Sequence, residues 1–463
     1  MIQYRIWHND IQGKLGLALA HPLFYTIGII FKSIPGGDVA FKVNLLTAIT
    51  AGFAVANIYL LMKLWIGSIP IAIITAVSLA LSHTFWRHAS ICETYDLYIA
   101  LFLAELIFLL LFCQHSKVKY LYYLAFFNGL AVANHMLGCL PLACYGICML
   151  YLIGKRQLKI SQFINMLIIW VLAASPYEYL IIKDWIVNGD LAGTLKSAAF
   201  GDGYQKDVLN ATLSLKIVKE NIIFFFMNFP TPNVILAICG IYSLRKIAPA
   251  RKFANIIFAL TALFLLFAFR YTVADRYAFF IPFYTMTAIF IGLGSKFVID
   301  KYNCPKLIVW IILLAMLPVI AYRIGPTQAK KYYKSLGTKR VIPYRDDYIY
   351  FLQPWRTGYD GCERFGIEAL NEVEDNAIIY ADNTTVYAIL YAQEIKGIKP
   401  DVRIISKYNS SQGQNNIEAW PDADLLQEKN IYVVTAKKGY CPDILLNNFN
   451  FVPSGVLNRA MPK

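Results

Sequence analysis

A polytopic, mostly α-helical transmembrane bundle with a small C-terminal extracytoplasmic α/β domain is the fold class this sequence predicts. Three observations predict it. Of 463 residues, 58% are hydrophobic and only 16% charged. The hydrophobic residues are gathered in runs long enough to cross a bilayer, about 18 residues or more. The last third of the chain loses those runs and alternates strand-like and helical patterns instead.

Ten spans are expected, near residues 40–62, 66–85, 95–112, 118–134, 136–153, 163–182, 222–242, 253–269, 278–297 and 307–322. The domain organisation that follows is an N-terminal segment 1–39, a bundle 40–323 and a soluble unit 324–463. The first residues are polar and aromatic, so no cleavable signal peptide is expected. The apolar stretch 15–31, "LGLALAHPLFYTIGIIF", leaves two readings open. It is either a short span interrupted at His21-Pro22, with Met1 cytoplasmic, or an amphipathic helix lying on the outer surface.

The net charge of +14 is unevenly placed. Lys63, Lys117, Lys119, Lys155, Arg156, Lys159, Arg245, Lys246, Arg251, Lys252, Lys296, Lys301 and Lys306 occupy alternate loops, with Asp300 as the one acid among them. Lys/Arg bias in short loops sets orientation, so these loops are expected to be cytoplasmic. The basicity is therefore a topology signal, and nucleic-acid binding is excluded as a function class. "WRHASICETYD" at 86–96, the long loop 183–221, "RYTVADRY" at 270–277 and the tail then face outward.

In the tail, "NAIIYAD", "DVRIIS" and "IYVVTA" read as strands, and "CERFGIEALNEV" and "TTVYAILYAQEI" as helices, the second capped by Asp382 or Thr384. The strand–helix–strand order predicts parallel pairing. Asn210, Asn383 and Asn409 sit in N-x-S/T sequons. The cysteines at 139, 144, 148 and 239 read as small core hydrophobes. Cys362 and Cys441 lie where a disulfide is permitted, and the sequence leaves their pairing open. No Cys/His spacing suggests a zinc site, so no metal is expected.

Ionisable groups recur at outward span ends: Arg87, His88, Glu93, Asp96, His135, Arg270, Asp275 and Arg276, joined by Asp10 and His21 if the N-terminal segment is external; if 15–31 spans instead, Asp10 is cytoplasmic. Converging on one face, these groups would form an anion-binding pocket flanked by carboxylates. Glycosyl transfer from a lipid-linked donor needs this equipment: a carboxylate to take the acceptor proton, and cations to hold the departing phosphate. Each group also has a plainer explanation. Arg276 could pair with Asp275, Arg87 and His88 could anchor at the interface, Glu93 could cap a helix, and His135 could be a hydrogen-bonded core histidine. Glu105, deep in a span, reads as an interhelical hydrogen bond.

The residues resemble a family. "HPLFYTIGIIFKSIPGGDVAFKVNLLTAITAGFAVANIYLL" is similar to the His-Pro-started segment and following span of the GT-C class of polytopic glycosyltransferases, in the protein O-mannosyltransferase-related branch. Phe85, Trp86, Glu93 and Tyr95, then Gly129, Leu130, Asn134 and His135, then Asp275 and Arg276 resemble further motifs of that branch in the same order. "NAIIYADNTTVYAILYAQEIKGIKPDVRII" resembles the start of its external tail.

The resemblance implies an inverting transferase that moves a sugar, with mannose a candidate, from a polyprenyl-phosphate donor to a hydroxyl of a protein or glycan. It implies Asp10 as catalytic base and Arg276, Arg87 and His88 at the donor phosphate. His21, Glu93, Tyr95, His135 and Asp275 would line the substrate pocket. Its partners would be the bilayer, the lipid-linked sugar and the acceptor, with no cofactor. It would reside in a bacterial inner membrane facing the periplasm, or face the lumen of the endoplasmic reticulum in a eukaryote. This sequence lacks the family's acidic Asp-Ser-Gly-Glu cluster and reduces His-Pro-Pro-Gly to His21-Pro22-Leu23-Phe24, which leaves the base open. A transporter or flippase of a lipid-linked substrate, or a non-catalytic relative, are the alternatives. A transporter should show related halves and charges at the membrane midplane, and no internal repeat is evident here.

Overall fold

The structure is a computed structural model that describes residues 1–247, 251–273, 275–336, 340–406 and 430–463. The described chain divides into two compact units. One comprises Ile2–Tyr332 together with Phe351–Arg356, and the other Tyr333–Tyr350 and Thr357–Lys463 with Met1.

The larger unit is helical throughout. Among the described residues, seven helices are long and apolar enough to cross a membrane. The pair Ile69–Ala80 and His83–Ala89, bent by 72°, makes an eighth if counted as one broken span. The other two expected spans come out differently. Lys119–Asn134 is a helix of 16 residues, rising about 24 Å. The apolar run 222–242 is not one helix but two, Leu215–Asn228 and Val234–Ile247. Pro230 and Pro232 lie between them, and each removes a backbone donor and disfavours helix in the residue before it.

The N-terminal segment also departs from the short-span reading. A 3-10 turn at Leu17–Leu19 is followed by a helix of only 11 residues, Pro22–Lys32. That helix rises about 16 Å, roughly half of a hydrocarbon core. His21 between them adopts a left-handed conformation (φ 52°), so the two pieces cannot merge into one helix.

Burial ranks the spans. Ala278–Tyr302 and Tyr95–His115 have 89% and 78% of their most apolar windows inside the bundle, whereas Leu307–Tyr332 has 22%. Between helices in lipid there is little hydrophobic drive, so close approach and hydrogen bonds hold them together. Gly240 lies against the backbone of Phe290, and Gly294 against Leu236, so a side chain at either would strike the neighbouring backbone. Asn128 Nδ2 donates to Glu105 Oε1 (3.2 Å) and to the Gly138 carbonyl (3.2 Å). Asn128 Oδ1 accepts from Trp170 Nε1 (2.9 Å). Glu105 therefore does make the interhelical bond its sequence position suggests. The cysteines at 139, 144, 148 and 239 are partly buried, and Cys139, Cys144 and Cys148 pack against the apolar clusters.

The smaller unit holds a five-stranded sheet of order β2-β1-β3-β5-β4. Strands β1 (Ile378–Tyr380), β2 (Arg403–Ile405) and β3 (Ile431–Val433) pair in parallel. β4 (Phe449–Ser454) and β5 (Leu457–Pro462) add an antiparallel hairpin. Helix Val386–Glu394 follows β1, with Thr385 as its N-cap residue. Asp382 accepts from the Thr384 N–H (2.8 Å) and receives Arg340 through both oxygens (2.5 and 2.6 Å). Cys362 and Cys441 are not joined in a disulfide, the first being exposed on a helix and the second buried under the sheet. Asn409 lies outside the described residues.

Because Asn128 joins three helical segments, Asn128→Ala would leave Glu105 and Trp170 without that partner. A loss of about 2 kcal/mol is expected, read as a lowered melting temperature of the protein in detergent. An unchanged melting temperature would show that the network carries no stability.

Candidate functional site

The stretch 86–96 is not a solvated hairpin tip. Trp86, Arg87 and His88 ride on helix His83–Ala89, where Arg87 and His88 are buried (4% and 2% exposed). Ser90 caps that helix and donates to the carbonyls of Trp86 (2.9 Å) and Pro354 (2.9 Å). Trp355, on the returning segment Phe351–Arg356, packs on Trp86 with ring centroids 5.0 Å apart. The chain then turns through 91–94 into helix Tyr95–His115.

Asn134 pins this turn from across the bundle. It is the last residue of Lys119–Asn134, and its Nδ2 donates to the Thr94 carbonyl (3.0 Å). Its own carbonyl accepts from His21 Nδ1 (2.9 Å). The next residue, His135, leaves the helix extended (φ −158°), and its Nδ1 accepts from the Leu137 N–H (3.1 Å).

These bonds fix the tautomers, since a carbonyl only accepts and an amide N–H only donates. Neutral His21 carries its proton on Nδ1 and offers a lone pair at Nε2. Neutral His135 is the reverse and offers an Nε2–H. His88 Nδ1 donates to the Thr84 carbonyl (2.7 Å), leaving Nε2 as an acceptor. Burial lowers the pKa of His21 to about 4, so its ring is neutral at pH 7.

The rings form one continuous cluster. His21 and His135 have centroids 4.7 Å apart, Tyr95 and His135 5.0 Å, and His88 and Tyr95 5.2 Å. Phe279 closes it at 5.8 Å from Tyr95. Tyr277 extends it, 5.9 Å from His88 and 6.3 Å from Phe224. The arginines attach to this extension: Arg87 lies 5.8 Å from the Tyr277 ring, and Arg276 lies 5.2 Å from Phe224.

Arg276 does not pair with the adjacent Asp275. Its Nη1 donates to Asn221 (2.6 Å) and its Nη2 to Glu220 (2.6 Å), so its guanidinium is held in place from helix Leu215–Asn228. Arg270 is occupied with the carbonyls of Val208 (2.5 Å) and Asn210 (2.9 Å) and fastens that loop.

The acids fall in two groups. Glu93 is half-buried, and burial, with the charge of Asp275 adding to it, pushes its pKa up to about 7. Asp275 itself is exposed. Asp10 accepts from the Gly13 N–H (2.8 Å) and lies 3.5 Å from Arg5 Nε. Arg5 also donates to the Ile11 and Ala20 carbonyls (2.7 and 3.3 Å) and lies 3.7 Å from the Tyr25 ring centre.

All the predicted site residues thus lie in the larger unit. His21, His88, Tyr95 and His135 are in direct ring contact, with Arg87 and Arg276 joined through Tyr277 and Phe224. Asp10 stands apart, beside Arg5. Tyr25 carried no chemical signal in the sequence, since aromatics in apolar runs read as membrane core, and no local pattern links Glu220 and Asn221 to Arg276. Tyr25 Oη, both Asp96 carboxyl oxygens and Asn134 Oδ1 are buried without a partner among the described residues. Each such atom costs about 1–3 kcal/mol. No group of three His, Cys, Asp or Glu suited to a metal ion occurs among the described residues.

Glu93 has a testable signature. Its folded pKa of about 7 exceeds its ordinary 4.5, so its contribution to stability is full below 4.5 and is lost as pH rises to 7. His21 acts oppositely between 4 and 6.5, because its neutral form is favoured. The difference between wild type and Glu93→Gln isolates the first effect. The melting temperature of the variant relative to wild type should climb across pH 4.5–7, and a flat difference would contradict the raised pKa.

Residues 16–160, which carry His21, the turn at 91–94 and His135, match the family model described as the protein O-mannosyl-transferase TMEM260 N-terminal domain. Two solved structures share the fold, both of ArnT from Cupriavidus metallidurans, one bound to undecaprenyl phosphate and one in the apo state. They superpose with TM-scores of 0.57 and 0.59 at 11% identity, covering 99% of this chain and 91% of theirs. At that identity the likeness establishes the fold, which is the GT-C arrangement. No curated protein matches the chain in sequence.

Proposed function

We propose that this chain, with a TMEM260-type domain at 16–160 and an ArnT-like GT-C fold, is a membrane glycosyltransferase using a polyprenyl-phosphate sugar. One observation carries the reading: two buried arginines and a cluster of neutral histidines and tyrosines, supplied by separate segments of one bundle, join through Tyr277. One of the two ArnT structures holds undecaprenyl phosphate, which supports a polyprenyl-phosphate ligand for the same fold.

In the reaction the acceptor hydroxyl oxygen attacks the anomeric carbon as the bond from that carbon to the phosphate oxygen breaks. The configuration inverts, the hydroxyl proton passes to a carboxylate, and polyprenyl phosphate departs. Negative charge grows on the phosphate as it leaves, so fixed cations stabilise the transition state more than the ground state. Arg276 suits this role because Asn221 and Glu220 hold it beforehand, and Arg87 suits it because it is buried against Tyr277. Neutral His135 offers an Nε2–H to an oxygen without adding charge. Asp10 serves as the base in this scheme, its carboxylate oriented by the Gly13 N–H.

The site faces the side opposite the Lys/Arg-rich loops, the periplasm in a bacterium or the lumen of the endoplasmic reticulum in a eukaryote. The acceptor is a protein or glycan hydroxyl, and mannose is the sugar the family model suggests.

Purified protein in nanodiscs, given polyprenyl-phosphate mannose and a Ser/Thr peptide, tests the chemistry. Arg276→Ala should lower kcat/KM by about 100-fold, and Asp10→Asn should abolish turnover while donor binding persists. Transfer by Arg276→Ala at the wild-type rate, in protein of unchanged melting temperature, would remove the phosphate role.

A further inference from the structure

Helix His83–Ala89, which carries Arg87, is too short to hold itself in place. It has seven residues, and an isolated helix needs about 12–15 to persist in water. The 72° bend after Ile69–Ala80 denies it the direction of the preceding helix. The position of Arg87 is therefore set by what packs on this helix.

Two clamps do so. One is Asn228, whose Oδ1 accepts from the Thr84 N–H (2.8 Å) and whose Nδ2 donates to the Thr84 hydroxyl (3.0 Å). The other is the segment Phe351–Arg356, which belongs to the larger unit although the chain before and after it belongs to the smaller one. Its residues meet the helix at three points. The Phe351 ring centre lies 5.6 Å from the Arg87 guanidinium carbon, and the Pro354 carbonyl accepts from the Ser90 hydroxyl (2.9 Å). Trp355 packs on Trp86, with ring centroids 5.0 Å apart. Pro354 is buried and fixes the backbone φ between the two aromatics, so the segment is stiff where it crosses. Arg356 Nη1 donates to the carbonyls of Gln353 (2.8 Å) and Trp355 (3.2 Å), which closes the segment on itself.

Arg87 thus meets two rings from distant parts of the chain, Phe351 at 5.6 Å and Tyr277 at 5.8 Å. An aromatic face attracts a guanidinium through its quadrupole without cancelling the charge. A carboxylate there would neutralise what an anionic ligand needs. The rings steady the group and leave its charge for a phosphate. Arg276 is held by a different device, Asn221 and Glu220, so the segment bears on Arg87 alone of the two.

We propose, resting on the transferase function above, that Phe351–Arg356 is a strap that orients Arg87 for the donor phosphate, with Phe351 as the positioning residue. Phe351 touches the arginine and not the substrate. An arginine ordered beforehand loses less freedom when the phosphate arrives, so binding is tighter with the strap in place.

The full chain in nanodiscs, titrated with polyprenyl phosphate lacking a sugar, tests this. Phe351→Leu and Phe351→Met keep the bulk and remove the aromatic face, whereas Phe351→Tyr keeps the face. The first two should weaken binding about fivefold, and Phe351→Tyr should stay within about twofold of wild type. Arg87→Gln should itself weaken binding. In that background Phe351→Leu should add less than about twofold, because the group it positions is gone.

Wild-type affinity in Phe351→Leu and Phe351→Met, beside a weakened Arg87→Gln, overturns the strap alone. A full fivefold loss from Phe351→Leu in the Arg87→Gln background also overturns it, because that marks a contribution to folding and not to placing the arginine. So does a loss in Phe351→Tyr as large as in Phe351→Leu. Wild-type protein that does not bind the lipid, or Arg87→Gln that binds it as wild type does, defeats the phosphate role assigned above and the strap with it.

Discussion

Asn134 makes two hydrogen bonds on which the arrangement of the site depends. Its side chain holds the Thr94 carbonyl and its main-chain carbonyl holds His21. Three segments far apart in sequence are thereby tied at the point where one helix ends, and His135 follows immediately. Asn134 is fully buried, and its bond to the Thr94 carbonyl is shielded from competing water. The left-handed conformation of His21 is strained for a non-glycine residue, the more so before a proline, and its bond to Asn134 holds it there.

The surrounding bundle explains why such pins are needed. Lipid-facing helices such as Leu307–Tyr332 gain little by packing, so specificity of approach falls to small residues and to polar contacts. Asn128 with Glu105 and Trp170 plays this part deep in the bundle, and Asn134 plays it at the end of the same helix. A single helix, Lys119–Asn134, thus carries both the internal brace and the pin of the site. The arginines follow the same logic, since a buried guanidinium persists only with partners. Glu220 and Asn221 supply them for Arg276.

Much of this was legible in the sequence, for physical reasons. Long apolar runs have few alternatives to spanning helices, and the starts at 95, 136 and 278 agree with the helices formed. The parallel strands of the tail followed from their apolar character and short connections. The hairpin of β4 and β5 was not read, because "FNFVPSGVLNRAMP" has weak alternation and its turn rests on Gly455 at φ 53°. The break within 222–242 was signalled by two prolines but outweighed by the hydropathy on either side. In the site, ionisable residues at span ends were visible, whereas Tyr25 was hidden among membrane aromatics. The expected pairing of Arg276 with its neighbour gave way to Glu220, 56 positions away, which no local pattern encodes.

The central claim is that these segments gather to hold a lipid-linked sugar beside Tyr277, with its phosphate at Arg276 and Arg87. Cryo-electron microscopy of the protein in nanodiscs with a non-hydrolysable polyprenyl-phosphonate sugar tests it most directly. The account predicts head-group density continuous from Arg276 and Arg87 past Tyr277 to the turn beside Asn134. Density lying instead among Lys63, Lys117 and Lys155, with the histidine cluster empty, would contradict it.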